Sequence, residues 1–199
     1  METLTSKEEL LKIKLIEFYK DPENLNILLP IILQRTKISL RSLDWFVTNY
    51  CKKYNINYII NENVLYFPFK SYKSQLKAYS KKFCDPFCRR ERVVFDYENH
   101  TIIKFNNKLK LGHKNYIITT IGQLNFFKFA IQDNIINYAM DHIDAIEQDM
   151  NTTLKSRDTE KRESSEKFVQ LKNIKRKELS APGNKSIHIT CISATIKFV

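Results

Sequence analysis

An α+β fold is predicted for this 199-residue sequence by three observations: capped helical segments at its start, two β regions built around polar turns, and an apolar helical face over residues 135–150. The expected order is N-terminal helices, a β-hairpin, a basic helix, a small antiparallel sheet, a C-terminal helical pair and a basic tail. Residues 1–150 are assigned to a single α+β domain, and 151–199 to a basic linker or tail with a candidate terminal strand.

Ser6-Lys7-Glu8-Glu9 has the form of a capping box, in which Ser6 accepts from the amide three residues on while Glu9 reaches back. Leu11, Leu15 and Phe18 then recur at helical spacing until Asp21-Pro22 ends the run. Asp21 can cap a second helix with Pro22 in its first turn, running toward Gln34 with a bend at Pro30. A third helix follows Ser39, with Leu43, Phe46, Val47 and Tyr50 on one face, Cys51 in the core, and Arg41, Lys52 and Lys53 off that face. Residues 55–60 and 64–67, joined by Asn61-Glu62-Asn63, read as a β-hairpin with Pro68 past its end.

A second β region runs over residues 92–97, turns at Glu98-Asn99-His100, returns over 101–105 and takes a third strand from 116–119. Thr120 can cap a short, largely apolar helix over 123–131, and Asp133 can cap the last one. In that last helix Ile135, Ile136, Ala139, Ile143, Ile146 and Met150 fall within about 100° of arc. Hydrophobic residues thin out over 151–180, and alternation returns from Ile187. Three helices before a hairpin is also the element order of a winged helix, but so common an order assigns no function.

Composition narrows the function classes. The 43% apolar and 12% aromatic content supports a packed core. Three glycines and no glycine-rich phosphate loop argue against a Rossmann or P-loop enzyme. No apolar run approaches the roughly 18 residues of a membrane span, and the acidic, polar first residues do not read as a targeting peptide. Four cysteines, only two of them close together, predict reduced thiols in the cytosol or nucleus. The 33 Lys and Arg against 22 Asp and Glu give a formal net charge of +11, which attracts polyanions. A bias toward Lys, Ile and Asn codons would raise the charge without any function, so placement decides.

The placement is uneven. Over residues 70–92, Tyr72, Leu76, Tyr79 and Phe83 fall within about 60° on a helical wheel, while Lys70, Lys73, Lys77 and Lys81 form a stripe about 80° wide on the far side. Lys82, Arg89, Arg90 and Arg92 complete a candidate nucleic-acid-binding set, giving eight basic residues against Asp85 and Glu91. The last helix carries Asp141, Asp144, Glu147 and Asp149 and no lysine. The same pattern admits a lysine face that merely solvates the helix, or a membrane-surface helix, which the narrow Tyr-rich apolar face disfavours.

Metal and catalytic motifs are weak. Cys84 and Cys88 are four apart, but His100 and His113 lack the close spacing of a zinc finger, so buried structural thiols are expected. Asp96, Glu98 and Lys104 faintly resemble the acid–acid–lysine set of metal-dependent nucleases, without its Glu-x-Lys step. No catalytic residue, metal ligand or cofactor is assigned.

Three stretches carry a family likeness: residues 39–50 (SLRSLDWFVTNY), residues 71–82 with Asp85-Pro86-Phe87-Cys88-Arg89-Arg90, and Gly122-Gln123-Leu124-Asn125-Phe126-Phe127. Together they resemble an uncharacterised protein family of large nucleocytoplasmic DNA viruses, over roughly residues 36–150. The resemblance implies a viral protein acting in an infected cell, in the host cytoplasm or nucleus or in the virion, and supplies no catalytic residues. The leading expectation is a non-catalytic nucleic-acid-binding protein, with DNA favoured over RNA as partner and no membrane, serving viral transcription, replication or genome packaging. A structural or scaffolding virion protein with an acidic or other viral protein partner comes second, and a nuclease-like enzyme third.

Overall fold

The computed structural model describes residues 6–60, 64–106, 112 and 114–156. The chain divides into two units, Met1–Thr153 and Leu154–Val199. Of the expected tail at 151–199, the part from residue 157 on, with its candidate terminal strand from Ile187, lies outside the described residues. The first unit mixes helices with small antiparallel sheets, an α+β architecture.

Local capping sets the first three helices. α1 (Lys7–Phe18) opens on the complete capping box: the Glu9 amide donates to Ser6 Oγ at 3.2 Å and the Ser6 amide to Glu9 Oε2 at 2.9 Å. It buries Leu11 and Leu15. α2 (Pro22–Ile32) starts where Asp21 accepts from the Glu23 amide, with Pro22 in its first turn and Pro30 inside it. α3 (Leu40–Trp45) is capped by Ser39, which accepts from the Ser42 amide at 3.0 Å.

The sequence predicts one regular helix after Ser39, and the chain departs from that. A π-helical turn at Phe46–Tyr50 separates α3 from α4 (Cys51–Lys53). Thr48 Oγ1 donates to the Asp44 carbonyl at 2.6 Å, offering that oxygen a side-chain partner in the stretch where the backbone ladder widens. Phe46, Val47 and Cys51 are nonetheless buried.

β1 (Tyr58–Ile60) and β2 (Val64–Tyr66) pair antiparallel, with Tyr58 opposite Tyr66. Both tyrosines reach Asp133: Tyr58 Oη donates to its carbonyl at 2.8 Å and Tyr66 Oη to its carboxylate. Asp133 therefore does not cap the last helix. It terminates the preceding one and anchors the hairpin, while Asn134, in the left-handed region at φ 55°, turns the chain. Pro68 likewise does more than end a strand: it opens α5 (Pro68–Phe83).

In the second sheet β3 (Val93–Asp96) lies between β4 (Thr101–Lys104) and β5 (Tyr116–Thr119), antiparallel to both. All four β3 residues are buried, as a central strand requires. The core helix is α6 (Ile121–Gln132), which Thr120 caps through the Gln123 amide at 3.0 Å. Nine of its twelve residues are buried, and it packs on α1, α2, α5 and α7 (Ile135–Asp141). Residues 143–153 are again helical, with Ile146 and Met150 buried.

Gly122 lets α6 meet the end of α5. A Cβ there would lie 2.8 Å from the Lys82 carbonyl oxygen, and the Asp85 amide donates to the Gly122 carbonyl at 3.1 Å. The clash is with backbone, which cannot swing aside. Gly122→Ala is expected to lower stability by about 1–3 kcal/mol, read as a lower denaturant midpoint at unchanged m-value. An unchanged midpoint would show that the two backbones do not approach so closely.

Candidate nucleic-acid interface

α5 carries five lysines and no acid, and its buried Tyr72 holds the opposite side against Phe126 and Phe129 of α6. Lys70, Lys73 and Lys77 are exposed, at spacings that keep them on one face, and form no ion pair among the described residues. Lys70 Nζ lies 4.4 Å from the Phe67 ring centroid and Lys73 Nζ 5.2 Å from that of Phe69. Lys52, from α4, lies 6.0 Å from the same Phe69 ring. Cation–π contacts of this kind are worth about 0.5–1 kcal/mol at exposed sites, enough to bias where flexible amines rest. Periodicity along α5 does not reach Lys52, because the α4–α5 contact that brings it there is tertiary.

The predicted stripe breaks before Lys81. Ser80 has φ 54° and ψ 174°, outside the helical region, so Lys81 and Lys82 do not continue the register of Lys70, Lys73 and Lys77. The break leads the chain to Gly122 and buries Cys84, Asp85 and Pro86. Lys81 instead acts on half-buried Asp44: burial raises the Asp44 carboxyl above its ordinary pKa, and the Lys81 ammonium opposes that shift.

Arg89 is also committed elsewhere. Its guanidinium forms a two-pronged contact with buried Asp85, Nε at 3.0 Å and Nη2 at 2.8 Å, and lies 4.7 Å from the Phe87 ring centroid. The fork that could grip a phosphate already grips a carboxylate.

Lys82, Arg90 and Arg92 fall in a third place. They line a cavity of about 390 Å³ together with Lys12 of α1 and Lys104 of β4. The candidate set is thus three groups: the α5 row, the Lys81 and Arg89 charges that act on Asp44 and Asp85, and the cavity cations. Wheel geometry could not separate them, because a single residue outside the helical region undoes the phase.

The acids of the last helix are less free than their number implies. Asp149 is buried and accepts from Trp45 Nε1 and Tyr54 Oη, both at 2.9 Å, and from Lys53. Glu147 accepts from Ser42 Oγ at 3.0 Å. Two of the four therefore tie α3 and α4 to residues 143–153.

Cys84 is fully buried, and burial followed by the neighbouring Asp85 charge pushes its thiol up to about 12, so it is protonated at neutral pH. Cys88 is half-buried. Among the described residues no three His, Cys, Asp or Glu side chains are grouped to hold a metal, and His113 lies outside them. The Asp96 carboxylate is occupied by its own turn, accepting from the Glu98 and Asn99 amides and from Asn99 Nδ2. Asp96 pairs with Thr101 at the turn, whereas Lys104 pairs with Val93 at the far end of the same ladder. Three residue steps, roughly 10 Å at 3.3 Å each, separate the acid from the lysine of that nuclease-like set.

Among the described residues no helix is long and apolar enough to cross a membrane.

A family model described as "Family of unknown function (DUF7197)" matches residues 2–197. Uncharacterized protein L507 of Acanthamoeba polyphaga mimivirus is 35% identical over 188 residues, which cover 92% of this chain and 66% of that protein. The chain thus spans just under two thirds of that relative's length. No solved structure matches it.

Proposed function

We propose that this chain, which belongs to the DUF7197 family, binds nucleic acid by its phosphate backbone and does so without catalysis. The observation that carries the reading is the α5 row: three exposed ammonium groups, with no ion pair among the described residues, on a helix that packs through its other side. Lys70 to Lys77 spans about 10 Å at 1.5 Å per residue, a length of duplex axis over which each strand presents about three phosphates, one per 3.4 Å of rise. The mimivirus relative supports a viral setting, within the range of large nucleocytoplasmic DNA viruses, where transcription, replication or genome packaging would use such a protein.

Changing Lys70, Lys73 and Lys77 together to Gln tests this. Glutamine is a good helix former, so the fold is expected to survive. Binding should weaken alike for every sequence, and the slope of log affinity against log salt should shrink by about 2–3 units, near one per lost contact. Lys81→Gln alone should change the slope far less, since that residue lies past the break at Ser80 and out of the row. A folded triple variant with an unchanged slope would refute the reading and leave the row as a solvated face or a contact for an acidic protein.

A further inference from the structure

We propose that the cavity lined by Lys12, Lys82, Arg90, Arg92 and Lys104 is a binding site for the phosphate end of a nucleotide. It is a second site, separate from the α5 row in residues and in ligand: a terminal phosphate rather than the continuous backbone.

Three observations carry it. The first is convergence. The five cations come from α1, the end of α5, the segment before β3, and β4, so only the tertiary fold gathers them. The second is imbalance. Glu8 and Glu91 are the acids of the lining, and Glu8 is already paired with Lys12 at 3.1 Å. Arg90, Arg92 and Lys104 form no ion pair among the described residues. Like charges gathered around a concavity repel, and low-dielectric walls focus the resulting field on whatever anion enters. The third is composition. Phe83, Val93, Ile102 and Ile121 supply an apolar side to a space of about 390 Å³, within the range of small-ligand pockets. A cationic rim beside an apolar wall suits a ligand with a phosphate at one end and a flat, weakly polar base at the other. The start of α6, at Thr120 to Gly122, also borders the cavity and turns the positive end of a twelve-residue helix toward it.

The same chemistry is offered by the 5′-phosphorylated end of a strand and by a free nucleoside triphosphate, and the two can be told apart. The full chain would be titrated with a single-stranded oligonucleotide bearing a 5′-phosphate, with the same oligonucleotide ending in a 5′-hydroxyl, and with a nucleoside triphosphate. A preference for the 5′-phosphate on the order of tenfold is expected, and in the Arg90→Gln/Arg92→Gln variant that ratio should fall to about one. If the two oligonucleotides bind alike but the nucleoside triphosphate binds saturably and the variant loses it, the free nucleotide is the ligand and the site stands. The Lys70, Lys73 and Lys77 triple variant should weaken both oligonucleotides while keeping their ratio, so failure of the α5 reading and failure of this one are distinguishable. Should the double arginine variant not fold by circular dichroism, Lys104→Gln, an exposed strand residue, is measured instead and should reduce the same preference. The proposal is overturned if the wild-type protein shows neither the 5′-phosphate preference nor saturable triphosphate binding, or if the folded variant retains them in full.

Discussion

Replacing Phe126 with Ala is expected to destabilise the unit by about 3–5 kcal/mol, the usual cost of emptying a fully buried phenyl site. Phe126 sits near the middle of α6, the helix on which α1, α2, α5 and α7 pack. Its ring meets Tyr72 edge-on with centroids 5.9 Å apart, and Phe127 edge-on at 5.7 Å. Its ring neighbours are held by α5 and by α6 itself, which cannot simply collapse into the space left, so the cavity persists and adds to the lost transfer free energy. Phe126→Leu should recover much of the loss, because it restores volume without restoring the ring contacts. Chemical denaturation of both variants measures this, and a loss below about 1 kcal/mol for the alanine variant would show that the ring does not lie at the centre of the core.

Removing the Asp149 carboxylate should cost nearly as much. Asp149→Ala leaves the Trp45 indole N–H without its acceptor and frees Tyr54 and Lys53, for an expected loss of about 3 kcal/mol. Burial disfavours the charge on this carboxyl, yet hydrogen bonds from Lys53, Trp45 and Tyr54 together outweigh that and hold it below the ordinary aspartate range. A carboxyl whose folded pKa lies below its unfolded value stabilises fully above the unfolded value, roughly 3.9. That contribution is lost as pH falls from there through the lowered folded value. The stability gap between wild type and Asp149→Asn should therefore be constant near neutral pH and narrow only below about pH 4. Urea unfolding across pH 3 to 7 reads it directly. A gap that narrows around pH 6 would assign the effect to some other group.

Both predictions rest on residues whose importance is unequally visible in the sequence. Phe126 belongs to an apolar run that Thr120 was expected to cap, so its burial could be read from the chain. In the sequence Asp149 is one of four acids on the last helix, with nothing to set it apart. Its partners Trp45, Lys53 and Tyr54 are about a hundred residues away, and no spacing rule reaches that far.

The candidate site divides in the same way. That α5 is basic, faces its lysines away from Tyr72, and begins near Lys70 was legible from periodicity. That Lys81 leaves the row was not, because the φ of 54° at Ser80 answers to the approach of the α5 end to Gly122, nearly forty residues on. Nor could Lys12 and Lys104 be joined to Arg90 and Arg92 from their positions in the chain.

By itself the sequence determined most of the elements and where several start: the capping box at Ser6, the caps at Asp21 and Thr120, the helix start after Ser39, the two antiparallel β regions and the apolar side of α5. These depend on hydrogen bonds and side-chain periods that close within three or four residues, so the local chain contains the information. Only the tertiary structure decided which polar groups have partners and which cations stand together. It assigned Asp133 to the hairpin tyrosines, Asp149 to Trp45, Asp85 to Arg89, and five cations to one cavity. A charge finds its energy in whatever the fold brings within a few ångströms, and for several of these groups that neighbour comes from a distant part of the chain.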